Sequence, residues 1–314
     1  KLHEMKEFAM SKKTIKVLSF AVAQVMFSAA LSGCTQNKDD NLISAQSSQT
    51  VSAESAAETD NPVEYPCEYV ENELHCTYDG VDIFGMFYTP DNGRKKHPAV
   101  ILSHGYNCIG SDMQDIAKAL AGNGVSAYAF DYCGGSTRSA SSGDSVDMSI
   151  ETEQDNLRRV IDMVSELDSV DASQLYLYGE SQGGFVAALT GAEMPDRIAG
   201  MFLVYPAFSI IDQWLAMDPS TMTEPFEFMG GMTLSKTFYD GVPRYDVYKH
   251  IEAFTNPVLI YQGDKDQIVD VSYANKINDA FPNSSLTIVK GAGHGFNGAD
   301  RQLVCDEVCE FFTS

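Results

Sequence analysis

Positive charge is scarce in this chain: 21 Lys and Arg stand against 44 Asp and Glu, a formal net charge of −23. Residues 1–33 carry five of the lysines and only two glutamates, so the remainder is the more acidic part. A surface of that sign repels anionic polymers, which argues against nucleic acid as a partner. Tryptophan occurs once, at Trp214. The seven cysteines and six histidines show no spacing that resembles a zinc site, and no metal or cofactor is implied. Internal repeats are lacking. The apolar run from Val17 to Leu31 is too short to make a stable spanning helix. What remains, 44% hydrophobic and 11% aromatic residues in 314, describes a globular protein with one large domain plus appendages.

The appendages lie at the N-terminus. Lys12, Lys13 and Lys16 precede the Val17–Leu31 run, which ends in Leu31-Ser32-Gly33-Cys34. A basic start and a short apolar core read as an export signal. The last four residues resemble a bacterial lipobox, in which Cys34 is lipidated and becomes the first residue after cleavage. A plain signal peptide with a cysteine there by chance is the alternative. Met10 reads as a natural start, with residues 1–9 upstream of it. Residues 34–62 are rich in Ser, Ala, Gln, Thr, Asn and Asp, as in a flexible tether that holds a domain off a membrane. Lipidation of Cys34 leaves six cysteines, an even number for an oxidising compartment. Cys67 with Cys76, across an expected hairpin, and Cys108 with Cys133, in neighbouring loops, are candidate pairs. Cys305 and Cys309, one helical turn apart, are poorly placed for a disulfide.

The folded domain is expected over 63–314. Strands are expected at Cys67–Val70, Leu74–Tyr78 and Val81–Tyr88, and from Pro98 strands alternate with helices. Apolar runs such as Ala99–Leu102, Ser126–Phe130, Leu175–Tyr178 and Val258–Gln262 read as buried strands. Ile150–Leu167 carries Leu157, Val160, Ile161 and Val164 on one face, as a helix covering a sheet would. Such alternation predicts an α/β fold with a mostly parallel central sheet and helices on both faces. One segment, about 208–252, is too long for an ordinary β-α connection. It is rich in aromatics and methionine, and suits a lid over an apolar or aromatic acyl group, with Trp214, Phe228, Met229 and Tyr239 as candidate contacts. Extra helices with a small core of their own are the alternative.

The chain is organised around Gly179-Glu180-Ser181-Gln182-Gly183-Gly184, between a strand-like run and a helix-forming one. Strand, sharp glycine-flanked turn and helix make the arrangement called a nucleophile elbow, with Ser181 at its tip. Serine needs a base. His294, in Gly291-Ala292-Gly293-His294-Gly295-Phe296, opens from the same sheet edge and follows the serine in the chain. The base needs a carboxylate; in Gly263-Asp264-Lys265-Asp266 the favoured residue is Asp266, with Asp264 read as a turn residue. Backbone donors for an oxyanion are expected from Gln182 and, in Ser103-His104-Gly105-Tyr106, from Tyr106; His104 is read as a structural support.

Ser103–Tyr106, the GESQGG elbow, GDKDQIV and GAGHGF together resemble an α/β-hydrolase of the serine-esterase type over about Val81–Phe312. Within it, the order Ser-Asp-His and an insert carrying Gly230-Gly231 are similar to bacterial feruloyl/cinnamoyl esterases. That resemblance implies an α/β-hydrolase fold with a lid insertion before the Asp strand, and hydrolysis of a small ester through an acyl-enzyme. The rivals are a serine peptidase of the prolyl-aminopeptidase kind, a lipase or thioesterase, and a catalytically silent binding protein. The peptidase requires a carboxylate cluster in the lid, for which Asp212, Asp218, Glu224, Glu227 and Asp240 are candidates.

Overall fold

A computed structural model describes residues 65–313. The expected signal peptide, the tether and Cys34 lie outside the described residues.

The chain enters the sheet through a hairpin, β1 (Glu68–Tyr78) and β2 (Val81–Asp91), paired antiparallel in unbroken register from Glu68↔Asp91 to Tyr78↔Val81. Asp79 and Gly80 close it at φ values of 47° and 82°, the left-handed pair that matches the twist of a two-residue hairpin. The sequence reading split β1 in two, because Glu71, Asn72 and Glu73 interrupt its apolar residues. The structure shows why they are tolerated: β1 is the outer edge of the sheet and mostly exposed.

Alternation follows. β3 (His97–Ser103) leads to α1 (Gln114–Gly122), β4 (Ser126–Phe130) to α2 (Ile150–Ser165), and β5 (Val170–Glu180) directly into α3 (Ser181–Glu193). After β6 (Gly200–Val204) comes the long insertion: α4 (Ser209–Leu215), the two-residue strands β7 (Phe226–Glu227) and β8 (Thr233–Leu234), α5 (Lys236–Asp240) and α6 (Val247–Ile251). β9 (Val258–Gly263), α7 (Val271–Ala280), β10 (Ser284–Val289) and α8 (Gly298–Phe311) complete the domain.

The eight long strands form one sheet in the order β1-β2-β4-β3-β5-β6-β9-β10, parallel from β4 to β10, with β2 antiparallel at its junction. Side chains alternate between two cores, as the pleat requires. Val100, Leu102, Phe202 and Val204 face α1 and α8, whereas Ala99, Ile101, Met201 and Leu203 face α2, α3 and α7. Both faces are covered, so the central strands carry apolar residues at nearly every position. Helix α2 starts at a reciprocal cap: Ser149 Oγ accepts from the Thr152 amide at 3.1 Å while Thr152 Oγ1 accepts from the Ser149 amide at 2.8 Å. Its buried stripe is Ile150, Leu157, Val160, Ile161 and Val164, joined unexpectedly by Glu153.

Two cysteine pairings suggested by the sequence are not made. Cys67 and Cys76 are free thiols. Both belong to one extended segment, which puts them roughly 30 Å apart, far beyond the roughly 7 Å a disulfide spans. The Cys67 thiol donates to the Ala121 and Gly122 carbonyls at 3.3 Å instead. Cys133 is also free, so it does not bridge to Cys108. Its side chain packs on the core beneath β1–β2, and burial pushes its thiol up to about 11.

Candidate active site

The loops after β3, β5, β6, β9 and β10 all leave the sheet at its carboxyl edge, and they meet around Ser181. This serine is the first residue of α3 and has φ of 52°, a left-handed conformation that side chains rarely adopt. The glycines around it are set by close approach. A Cβ on Gly179 would stand 2.5 Å from the Gly183 carbonyl oxygen, and one on Gly183 would stand 2.2 Å from that of Ser103. The start of α3 therefore lies directly against the end of β3.

His294 reaches the serine from the loop after β10, its Nε2 2.8 Å from Ser181 Oγ. Its Nδ1 lies 2.8 Å from Asp266 Oδ2. A carboxylate only accepts, so Nδ1 carries the proton and Nε2 accepts from the serine hydroxyl. The Asp266 side chain is fully buried, and its oxygens are saturated. Oδ1 accepts from the Ile268 and Val269 amides at 2.8 and 2.9 Å, and Oδ2 accepts from Gln262 Nε2 at 2.9 Å as well as from His294. Burial opposes the charge; the hydrogen bond from His294, with the two amides, outweighs it and holds Asp266 below its ordinary pKa. Asp264 points elsewhere and accepts from the Gly291 amide at 2.6 Å, bracing the His294 loop.

His104 is buried behind the β3 loop. Its Nδ1 donates to the Gly105 carbonyl at 2.8 Å, and its Nε2 accepts from the Tyr132 amide at 2.9 Å. Both ring nitrogens are thus occupied by backbone. Burial first, against the Gly105 hydrogen bond, lowers its pKa and keeps it neutral. The loop it supports brings Tyr106 beside Ser181 and Gln182. Tyr106 Oη donates to the Met229 carbonyl at 3.3 Å and Asn107 Nδ2 to the Gly230 carbonyl at 3.0 Å, so the insertion is tied to this loop.

Those contacts border an open pocket in front of Ser181, lined by Tyr106, Gln182, Ile210, Trp214, Phe228, Met229, Phe238 and Ile268 among others. Of the four insertion residues singled out from the sequence, Trp214, Phe228 and Met229 line this pocket. Tyr239 does not line it. Phe238, its neighbour on α5, turns inward against Trp214 at 4.5 Å between ring centroids, and the helical step carries Tyr239 away to lie under the Arg244 guanidinium. Trp214, Met232, Leu234 and Phe238 also belong to the main core, so the insertion packs as a continuation of the domain.

Sequence reasoning missed three supporting groups. Gln262 sits in β9 two residues before Asp264, in a run that reads as simple strand. Glu180 accepts from Tyr178 and Tyr205 hydroxyls at 2.8 Å and pairs with Arg301 at 2.9 Å. Tyr205 in turn lays its ring against His294, centroids 4.7 Å apart. Glu153, 2% exposed, holds Gln182 Nε2 at 2.9 Å from both its oxygens. The available signal was a carboxylate on the apolar stripe of α2.

Comparison with known proteins places this arrangement. A family model described as serine aminopeptidase, S33, matches residues 94–240, under half of the chain. The structure of Est1E from Butyrivibrio proteoclasticus with ferulic acid bound superposes with a TM-score of 0.71 at 24% identity, over 76% of this chain and 98% of that one. The fold is that of the α/β-hydrolases. Acetyl xylan esterase 1 from Thermoanaerobacterium shares it at a TM-score of 0.56 and 18% identity, over 80% of this chain and 89% of the other. Among curated sequences, monoacylglycerol lipase ABHD6 of Bos taurus is 22% identical over 250 residues, 64% of this chain and 72% of the relative. The chain is thus an α/β-hydrolase-fold protein with esterases and lipases among its neighbours.

Proposed function

We propose that the protein is a serine hydrolase that cleaves carboxylic esters through an acyl-enzyme on Ser181. The observation that carries the reading is the hydrogen-bonded chain Ser181–His294–Asp266 opening onto an apolar, aromatic pocket. As Ser181 Oγ attacks the ester carbonyl, His294 Nε2 takes its proton, and Asp266 stabilises the imidazolium. The backbone amides of Tyr106 and Gln182 receive the oxyanion. Collapse of the tetrahedral adduct expels the alcohol, which takes the proton from His294. Water then attacks the acyl-enzyme with His294 as base, releasing the acid and restoring Ser181.

An ester is favoured over a peptide with a free amino terminus, because a site for an ammonium group needs a carboxylate. Among the described residues, none of the pocket-lining side chains is Asp or Glu. Asp212 accepts from Tyr273, Asp218 caps Ser220 and Asp240 pairs with Lys236, while Glu224 and Glu227 are exposed. For the acyl group, the rings of Trp214, Phe228 and Phe238 support an arylpropenoyl acid such as ferulate, which the neighbour Est1E holds. An acylglycerol is the second reading, favoured by the same apolar lining and the lipase relatives. For location, the Leu31–Cys34 lipobox supports export and a lipid anchor on Cys34; palmitate labelling of producing cells that persists in Cys34→Ser would sink it.

The deciding assay sets the protein and its Ser181→Ala variant against short-chain nitrophenyl esters, methyl ferulate, a monoacylglycerol and an aminoacyl nitroanilide. Ester turnover lost in Ser181→Ala is the expected result. Turnover of the anilide alone reassigns the protein to the peptidases, and a folded protein inert to all four is a silent binding module.

A further inference from the structure

Glu153 is a buried acid that, among the described residues, no cation answers. It occupies the apolar stripe of α2 between Ile150 and Leu157. Gln182 reaches it from α3, and Tyr106 from the loop after β3 and Tyr132 from the loop after β4 lie near enough to feel its charge. Its hydrogen-bond partner is Gln182 Nε2, which also stands 3.8 Å from Met148 Sδ; in the neutral acid one Glu153 oxygen accepts from Nε2 and the other carries the proton. Gln182 follows the nucleophile, lines the pocket, and supplies one of the two oxyanion amides in the reading above.

We propose that Glu153 works as a neutral carboxylic acid and positions the oxyanion site, clamping the Gln182 side chain, and with it the first turn of α3, without placing a negative charge behind the oxyanion. The inference rests on the serine-hydrolase reading. An uncharged polar clamp suits this place because the reaction creates negative charge at the Gln182 amide. A carboxylate held against the side chain of that residue, in surroundings of low dielectric, would oppose the charge that its backbone amide stabilises. An apolar residue would leave the buried Gln182 amide without a partner.

Burial, only partly offset by the Gln182 hydrogen bond, pushes the Glu153 carboxyl up to about 8. Tyr106 and Tyr132 are the titratable groups that face it from other elements. Burial raises both phenols, so both stay neutral through this range. Among the described residues no Lys, Arg or His acts on it.

The test is a set of kcat and KM profiles between pH 5 and about 9.5 for wild type, Glu153→Gln and Glu153→Ala on a nitrophenyl ester, with thermal melts at each pH. Wild-type kcat should fall as pH rises through about 8, the alkaline limb that Glu153→Gln, neutral at every pH, should lack. Glu153→Ala should lower kcat about 10-fold at pH 7 with KM nearly unchanged, the loss of one buried hydrogen bond felt at the transition state. A raised acid stabilises the fold most below its unfolded-state pKa, and that contribution disappears as pH climbs through the folded value. Wild type should therefore lose Tm relative to Glu153→Gln over that span.

An alkaline limb shared by wild type and Glu153→Gln, or wild-type kcat in Glu153→Ala, overturns the inference and leaves the serine-hydrolase reading standing. A wild type inert to every ester sinks that reading instead. The Tm difference still decides protonation in that case, and a difference flat with pH overturns a neutral Glu153. If Glu153→Ala does not fold, the Glu153→Gln profile and melts carry the decision.

Discussion

The two sides of the pocket are built by different means. On the sheet side, Ser181, His294 and Asp266 are held by backbone: a left-handed serine, glycines packed against carbonyls, and a carboxylate with all its acceptor sites filled. On the insertion side, short helices and two-residue strands present Trp214, Phe228 and Phe238 through ring contacts, and single side-chain hydrogen bonds, such as those to the Tyr106 loop and from Ser145 to the Thr233 carbonyl, tie the insertion to the domain. The lesson is a division of labour. Directional bonds fix where a proton moves, to tenths of an ångström; apolar contact fixes what fits, with far looser geometry. Mutations on the first side should strike kcat, and those on the second should strike KM.

The largest break of that contrast to attempt is Ser181→Ala, expected to lower kcat by about 10⁴-fold or more while leaving the melting curve within a few degrees of wild type. Asp266→Asn follows. It keeps the shape but offers an amide that can donate where His294 Nδ1–H needs an acceptor, so kcat should fall by about 10³- to 10⁴-fold at constant KM. Asp264→Asn is its control two residues away. Its side-chain oxygen still accepts from Gly291, and kcat should stay within about threefold. If both variants fell equally, the hydrogen-bond pattern around Asp266 would not be the source of its importance.

On the insertion side, Phe228→Ala should raise KM for aryl esters about 10-fold, the loss of roughly half a buried ring's worth of contact, and leave acetyl esters nearly untouched. Trp214→Ala would sharpen the comparison because Trp214 serves two purposes. At 3% exposure it is core as well as pocket wall, so a loss of about 3 kcal/mol in stability should accompany the KM effect. A kcat loss on acetyl esters in Phe228→Ala would mean that the insertion tunes the oxyanion loop through Tyr106, whose ring Phe228 meets edge-on at 5.7 Å.

The same division decides how much of the molecule was legible in the sequence. The βα alternation was readable because a sheet covered on both faces writes continuous apolar runs, and only the polar edge strand β1 was misdivided. The spacing of glycines around Ser181 was readable because close backbone approach allows no other residue. Asp266 and Asp264 could be ranked by position, though only coordinates show which carboxylate meets His294. Groups that act through a side chain from a distant element left almost no trace. Gln262 looks like strand, Glu180 like any elbow residue, and Glu153 like a surface glutamate unless α2 is phased by its apolar neighbours. In the insertion the composition was informative and the facing was not, because short elements give no periodicity from which to phase a side chain.

Tyr239 tests that last statement with the smallest expected effect. By composition it belongs with Trp214 and Phe228; by geometry it lies outside the pocket lining, partly exposed under Arg244 at 4.9 Å from ring centroid to guanidinium carbon. Tyr239→Leu removes the cation–π contact and the phenol but keeps apolar bulk on α5. An exposed contact of this kind is worth about 0.5–1 kcal/mol, so the variant should melt slightly earlier. KM and kcat for both aryl and acetyl esters should remain within about twofold of wild type. A KM for methyl ferulate raised as far as in Phe228→Ala would place Tyr239 in contact with the acyl group after all. That outcome would require α5 to turn toward Ser181 when substrate binds, and the loosely held side of the pocket would then be the side that moves.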